Sequence, residues 1–314
     1  MSHYPIISFN KNSTQIFIQL GNLIRTDDYG TYYMAHHYIP KHIINELNPL
    51  AKFNYIVKKA SKEHLKQYNN RLRSIIDEEK AMAKLAHPNI MELMYSLHTT
   101  HSVYLVYKAD SQIFTLDDFL RNQKFLKEEI GKIIIRDVVQ GVVALFKARE
   151  SIFPILNLKM IILSEQEGRQ GVYNAKIGMF NHVQSVSRKE SDAMIQDFFS
   201  APEANEFKPL TFQSSVWSIG AIFYNILTGA LPFQGKTFDE IKKNMEIGKY
   251  KFVGSNASIE AIEFIQHCLQ ENPENRLNCS TISMGYLSST VIPSEYGNEV
   301  VLSAKEMISL SKQI

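Results

Sequence analysis

Apolar and polar residues alternate through Thr14-Gln15-Ile16-Phe17-Ile18-Gln19-Leu20 and again around Tyr32 to Tyr38. This period of two is that of half-buried strands, so residues 14–38 predict two strands with a turn between them. Val103 to Tyr107 (VYLVY) is a short apolar run of strand length and predicts a buried strand. The period then lengthens. Thr115 to Leu120 opens a helix, with Asp117 and Asp118 in the first turn, where carboxylates complement the helix dipole. From Glu128 to Phe146, apolar residues recur at helical spacing (Ile130, Ile133, Ile134, Val138, Val142, Leu145), which predicts a long amphipathic helix. Val216 to Leu227 differs from all of these, being apolar nearly all round the helical wheel. A helix with no polar face is buried in a larger protein or a membrane, and a bilayer span needs about 20 such residues. It therefore predicts a central core helix, stopped at Thr228-Gly229 and followed by Pro232.

With 314 residues, 45% of them hydrophobic, the chain can fill one large domain or two lobes. A net charge of +2 points to neither a nucleic-acid nor a membrane partner. Cys268 and Cys279 make no disulfide framework, and no metal-ligand spacing is present. The start, MSHYPIISFNKN, lacks a basic segment leading into an apolar run. The expectation is a soluble protein of the cytoplasm or nucleus, not a secreted one. No internal repeat or low-complexity tract is visible.

Ala201-Pro202-Glu203 followed by VWSIGAIFYNILTGALPF closely resembles the large lobe of eukaryotic protein kinases, where APE precedes a D-V-W-S-x-G helix and a T-G-x-x-P-F turn. Tyr55-Ile56-Val57-Lys58 matches the family's V-A-I-K strand, and His87-Pro88-Asn89-Ile90 matches the H-P-N-I stop after its small-lobe helix. The resemblance implies an α+β, bilobal protein-kinase-like fold, with a β-rich N-lobe carrying one main helix and a mostly helical C-lobe. The implied layout is an extension at 1–13, N-lobe 14–107, hinge 108–112, C-lobe 113–285 and tail 286–314. Tyr107 takes the gatekeeper position and Lys108 the first hinge position. Glu203 and Arg276 match a structural ion pair of the large lobe, with Trp217 in its core helix and Phe180 as a further structural position. Residues 40–54 look like a surface insertion, 291–302 like a loop and Ser303 to Ile314 like a short helix.

The same alignment locates the nucleotide machinery. Kinases close G-x-G-x-x-G-x-V over the ATP phosphates. Here the three glycine positions fall on Arg25, Asp27 and Gly30, and the valine on Tyr32. A carboxylate at the second position faces phosphate charge, and a side chain there blocks close backbone approach. What remains of the pattern fits an ordinary hairpin with a polar tip. Lys58 and Glu78 match the ion pair that holds the lysine against the α- and β-phosphates, or a retained structural salt bridge. Ile56 stands at the alanine position, so bulk at Ile56 and Tyr32 is expected to fill the purine slot.

The catalytic loop, H-R-D-L-K-P-x-N in the family, supplies a proton-accepting aspartate and a metal-holding asparagine. Two registers are open. One puts Asn157 at the base position and Ile162 at the metal; the other puts Leu156 and Ile161 there. Neither offers a carboxylate. The motif histidine becomes Pro154 or Ile155, and the aspartate that anchors it becomes Ser215. The D-F-G aspartate becomes Met179, whose thioether cannot replace oxygen on Mg²⁺. Glu165 and Glu167 are expected beyond the strand, in a turn. Ser185, Ser187 and Ser191 lie in an activation-segment-like loop whose phosphate-binding arginine is missing.

These losses imply a pseudokinase, a scaffold or allosteric regulator of a protein partner, with an active kinase among the candidates. The alternatives are a divergent serine/threonine kinase and a nucleotide-binding switch without phosphoryl transfer. No metal and no cofactor are expected beyond, at most, weak ATP binding through Lys58, Glu78 and Gly30.

Overall fold

The alternating pattern near the N-terminus builds an antiparallel sheet. The structure, a computed structural model, describes residues 5–11, 14–27, 29–37, 54–67, 71–109, 113–148, 152–154, 156–166, 169–178, 183–185, 198–206, 210–252, 257–283 and 285–288. The chain divides into two compact units, Met1–Ala86 with Met91–Ser111, and His87–Ile90 with Gln112–Ile314.

The first unit carries β1 (Ile6–Lys11), β2 (Thr14–Asp27), β3 (Gly30–His37), β4 (Asn54–Ser61), β5 (Leu93–His98) and β6 (Ser102–Ala109), in the order β1-β2-β3-β4-β6-β5. Strand β1 lies within what reads in the sequence as an extension. It pairs with β2 at the sheet edge, and its Ile7 and Phe9 join Ile16, Ile18, Leu20, Tyr55 and Val57 in one apolar cluster. Side chains alternate between the faces of a strand, so Ile56 and Lys58 point away from that cluster. Their face receives α2 (Arg71–Met82), whose Ile75, Glu78 and Met82 are buried at helical spacing. The short α1 (Lys62–Lys66) is capped by Ser61. Strand β6 continues through Lys108 and Ala109, the first residues of the expected hinge.

The second unit is mostly helical: α3 (Leu116–Gln123), α4 (Glu128–Lys147), α5 (Phe212–Thr228), α6 (Phe238–Glu246) and α7 (Ile259–Cys268). Thr115 and Asp118 close a capping box at the start of α3. Its strands are β7 (Ile113–Thr115), β8 (Ile152–Pro154), β9 (Ile161–Gln166), β10 (Arg169–Ile177) and β11 (Val183–Ser185). They form a three-stranded sheet, β10-β9-β7, and a β11-β8 pair. Helix α5 is buried along nearly its whole length. It stops where Gly229 adopts φ +70°, a conformation that L side chains rarely take, and a Cβ there would meet the Lys124 carbonyl at 2.7 Å. The stretch His87–Ile90 belongs to this unit through Asn89, whose side-chain amide donates to the Ala175 carbonyl at 3.0 Å and whose carbonyl accepts from the Ile177 N–H. Among the described residues, no helix is long and apolar enough to cross a membrane. The expected insertion at 40–54 falls almost entirely outside the described residues, and the C-terminal loop and helix lie wholly outside them.

Candidate functional site

In the first unit the sheet register assembles the site. Arg25 lies opposite Tyr32, and Tyr32 lies opposite Lys58, so three neighbouring strands set these side chains in one row. Across the other edge of β4, Ile56 lies opposite Tyr107. Lys58 donates to Glu78 Oε2 at 2.6 Å, and the Tyr107 hydroxyl donates to Glu78 Oε1 at 2.5 Å. Lys58 is 0% exposed and Glu78 1%. Burial pushes the Glu78 carboxyl up from its ordinary range, against the opposing pull of Lys58 and of both hydrogen bonds. Burial likewise raises the phenols of Tyr107 and Tyr32.

The hairpin tip folds onto this lysine. Asp27 pairs with Arg25 at 3.4 Å and accepts the Tyr29 N–H at 2.9 Å, which fixes the turn. The Lys58 ammonium then faces the Tyr32 ring at 5.6 Å and the Tyr29 ring at 6.0 Å. Gly30 has a reason of its own, since a Cβ at its φ of +154° would meet the Lys59 carbonyl at 2.6 Å. Close strand pairing therefore accounts for the one glycine retained. Ile56 is fully buried.

In the second unit, the stretch expected to hold catalytic residues is packed. Leu156 is fully buried. Asn157 Oδ1 accepts the Lys159 N–H at 3.0 Å and so caps the 3₁₀ turn Leu158–Met160. Ile161 and Ile162 open β9, opposite Ile177 and Lys176, and both are buried. Glu165 is a correction: it lies inside β9, not in a turn, and accepts the Gly171 N–H at 2.7 Å, because the strand runs on to Gln166. Among the described residues the Ser215 hydroxyl is buried without a hydrogen-bond partner. Met179, Phe180, Ile155, Glu167, Ser187 and Ser191 lie outside the described residues, while Ser185 ends β11. No group of three or more His, Cys, Asp or Glu among the described residues is placed to hold a metal ion.

Glu203 and Arg276 meet as a two-pronged pair at 2.6 and 2.9 Å. The guanidinium of Arg276, a residue only 4% exposed, also donates to the carbonyls of Gln270, Gln213 and Glu271. Its five N–H donors are thereby all matched. Ser214 donates to Glu203, and the Trp217 ring lies 5.0 Å beneath the guanidinium carbon and stacks on Phe233.

Compared with known families, residues 47–285 match the protein kinase domain. The chain belongs to that family. The kinase match covers both the Lys58 strand and the Glu203–Arg276 pair and begins after the hairpin of 14–37, where the glycine pattern is lost. The α+β architecture is that of the kinase fold, a sheet-rich first unit and a mostly helical second one. The chain is 24% identical over 272 residues to a probable cell cycle serine/threonine-protein kinase CDC5 homolog of Encephalitozoon cuniculi, covering 83% of this chain and 56% of that protein. It is 25% identical over 248 residues to calcium-dependent protein kinase 4 of Plasmodium berghei, covering 78% and 46%. Against serine/threonine-protein kinase PLK4 of Nematostella vectensis it is 28% identical over 209 residues, covering 66% and 21%. The chain thus spans about half the length of the first two kinases and about a fifth of the third.

Sequence reasoning brought Lys58 and Glu78 together but missed Tyr29 and the Tyr107 hydroxyl as their neighbours. Tyr107 was visible as a position in the kinase alignment; its bond to Glu78 depends on strand register and helix placement.

Proposed function

We propose that this kinase-family domain is a pseudokinase: it transfers no phosphoryl group and acts by binding a protein partner, as a scaffold or allosteric regulator. The observation that carries this reading is Lys58. The cation that kinases direct at the ATP phosphates is here fully buried, bound to Glu78 and faced by two tyrosine rings. On this reading the residues do not fit Mg²⁺-ATP. The base position holds a buried leucine or a capping asparagine, the metal position a buried isoleucine, and Ile56 takes room an adenine needs. The near-neutral charge favours a protein partner over nucleic acid or a membrane surface, with an active kinase as one candidate and the cytoplasm or nucleus as the place.

Millimolar ATP, with or without Mg²⁺, is expected to leave the melting temperature unchanged. The test has resolving power, because ATP present at about one hundred times its Kd would add about 2.7 kcal/mol, a rise of roughly 4 °C. A second reading, a divergent serine/threonine kinase, is favoured by the 2.6 Å Lys58–Glu78 pair. An upward melting shift that Lys58→Met abolishes would support it, or support a nucleotide switch if no transfer accompanies binding.

A further inference from the structure

Around Lys58, cations and aromatic rings alternate. The Arg71 guanidinium carbon lies 5.3 Å from the Tyr29 ring centre. The Lys58 ammonium lies 6.0 Å from Tyr29 and 5.6 Å from Tyr32. The Arg25 guanidinium carbon lies 4.4 Å over Tyr32. The order is Arg71, Tyr29, Lys58, Tyr32, Arg25, and each step falls within the roughly 6 Å over which a ring's negative face attracts a cation. Three of the five members are set by the register of β2, β3 and β4. The other two come from the turn and from the first residue of α2. Such contacts strengthen as water is excluded, and Lys58, Tyr32 and Tyr29 are all buried.

We infer that Tyr29 and Tyr32 are a built-in ligand for Lys58: the hairpin lays its ring faces on the lysine, and that of Tyr29 on Arg71 as well, and so holds α2 in place without nucleotide. Glu78 and Asp27 pair with Lys58 and Arg25, and the ring faces add their negative potential to that of these carboxylates. Glu78 ties the column to Tyr107 on β6, and Arg71 ties it to the start of α2. Strands β2, β3, β4 and β6 and helix α2 are thereby tied together. A scaffold whose binding surface includes α2 would present that surface constitutively, with no dependence on ATP. This inference rests on the reading that ATP has no role, yet it makes a separate claim about what holds the helix.

The test is amide hydrogen exchange on the whole chain, comparing Tyr29→Leu, which keeps bulk and loses the ring face, with Tyr29→Phe, which keeps the face. The Leu variant is expected to exchange roughly tenfold faster than the Phe variant through both the β2–β3 turn and α2. Equal exchange in α2 would overturn the inference. A second measurement covers a Leu variant that fails to fold. Tyr29→Gly combined with Tyr32→Val removes both rings, and this protein is expected to gain Lys58-dependent stabilisation by millimolar inorganic tripolyphosphate that the unaltered chain lacks. A folded double variant that tripolyphosphate does not stabilise would also overturn it. Stabilisation of the unaltered chain by ATP would instead overturn the pseudokinase reading, so the two failures are distinguishable.

Discussion

Arg276→Ala is expected to lower stability by about 3–5 kcal/mol, the cost of breaking a buried ion pair by removing one partner. The residue left behind, Glu203, keeps the Ser214 hydroxyl as a donor, and three backbone carbonyls each lose a donor. The Trp217 ring also loses the cation above it. Arg276→Lys is expected to recover little, because an ammonium cannot reproduce the fork that reaches two carboxylate oxygens and three carbonyls. Urea unfolding measures both variants. A midpoint unchanged in Arg276→Ala would mean that the pair contributes nothing to holding α5 against the Pro273–Asn275 turn.

Lys58→Met is expected to destabilise the protein on a similar scale, about 3–5 kcal/mol, by leaving the Glu78 carboxylate buried and unpaired. In a domain that used Lys58 chiefly to hold a nucleotide, the same change would cost binding far more than folding. The pH dependence adds a sign. Burial already holds the Glu78 carboxyl above its ordinary value of 4.5, and losing Lys58 removes the largest opposing influence. The folded variant then binds a proton at pH values where the unfolded chain does not. Its stability must therefore fall as pH rises above the unfolded value toward and through the raised folded one, and recover as pH is lowered toward about 5. Unfolding curves at about pH 5 and pH 8 should show the deficit of Lys58→Met widening with pH. Adding Glu78→Gln, which removes the charge but keeps an acceptor for the Tyr107 hydroxyl, should restore much of the loss and flatten the dependence.

Much of the second unit could be read directly. A helix apolar on every face has to be central, and α5 is. The Glu203–Arg276 pair follows from residues 73 apart that only a familiar motif connects. The first unit was harder. Strand β1 is short, and whether Ile7 and Phe9 face a core depends on their register against β2, which no local pattern specifies. Tyr29 looks like the polar tip of a turn; its burial exists only once the hairpin lies over Lys58. The row Arg25–Tyr32–Lys58 spans strands separated in the chain, so its alternation of charge and ring is invisible until the sheet forms. Asn157 shows the reverse difficulty. An amide where an aspartate is expected reads as lost catalysis, and the structure shows the local work it performs, capping a 3₁₀ turn.

The most direct test of the account is phosphoryl transfer itself. The purified chain, incubated with γ-labelled ATP and Mg²⁺ or Mn²⁺ together with generic basic protein substrates, is expected to incorporate no label, into itself or the substrate, above a sample denatured beforehand. Incorporation that disappears in Lys58→Ala protein still folded by circular dichroism would contradict the account and make this domain an active kinase.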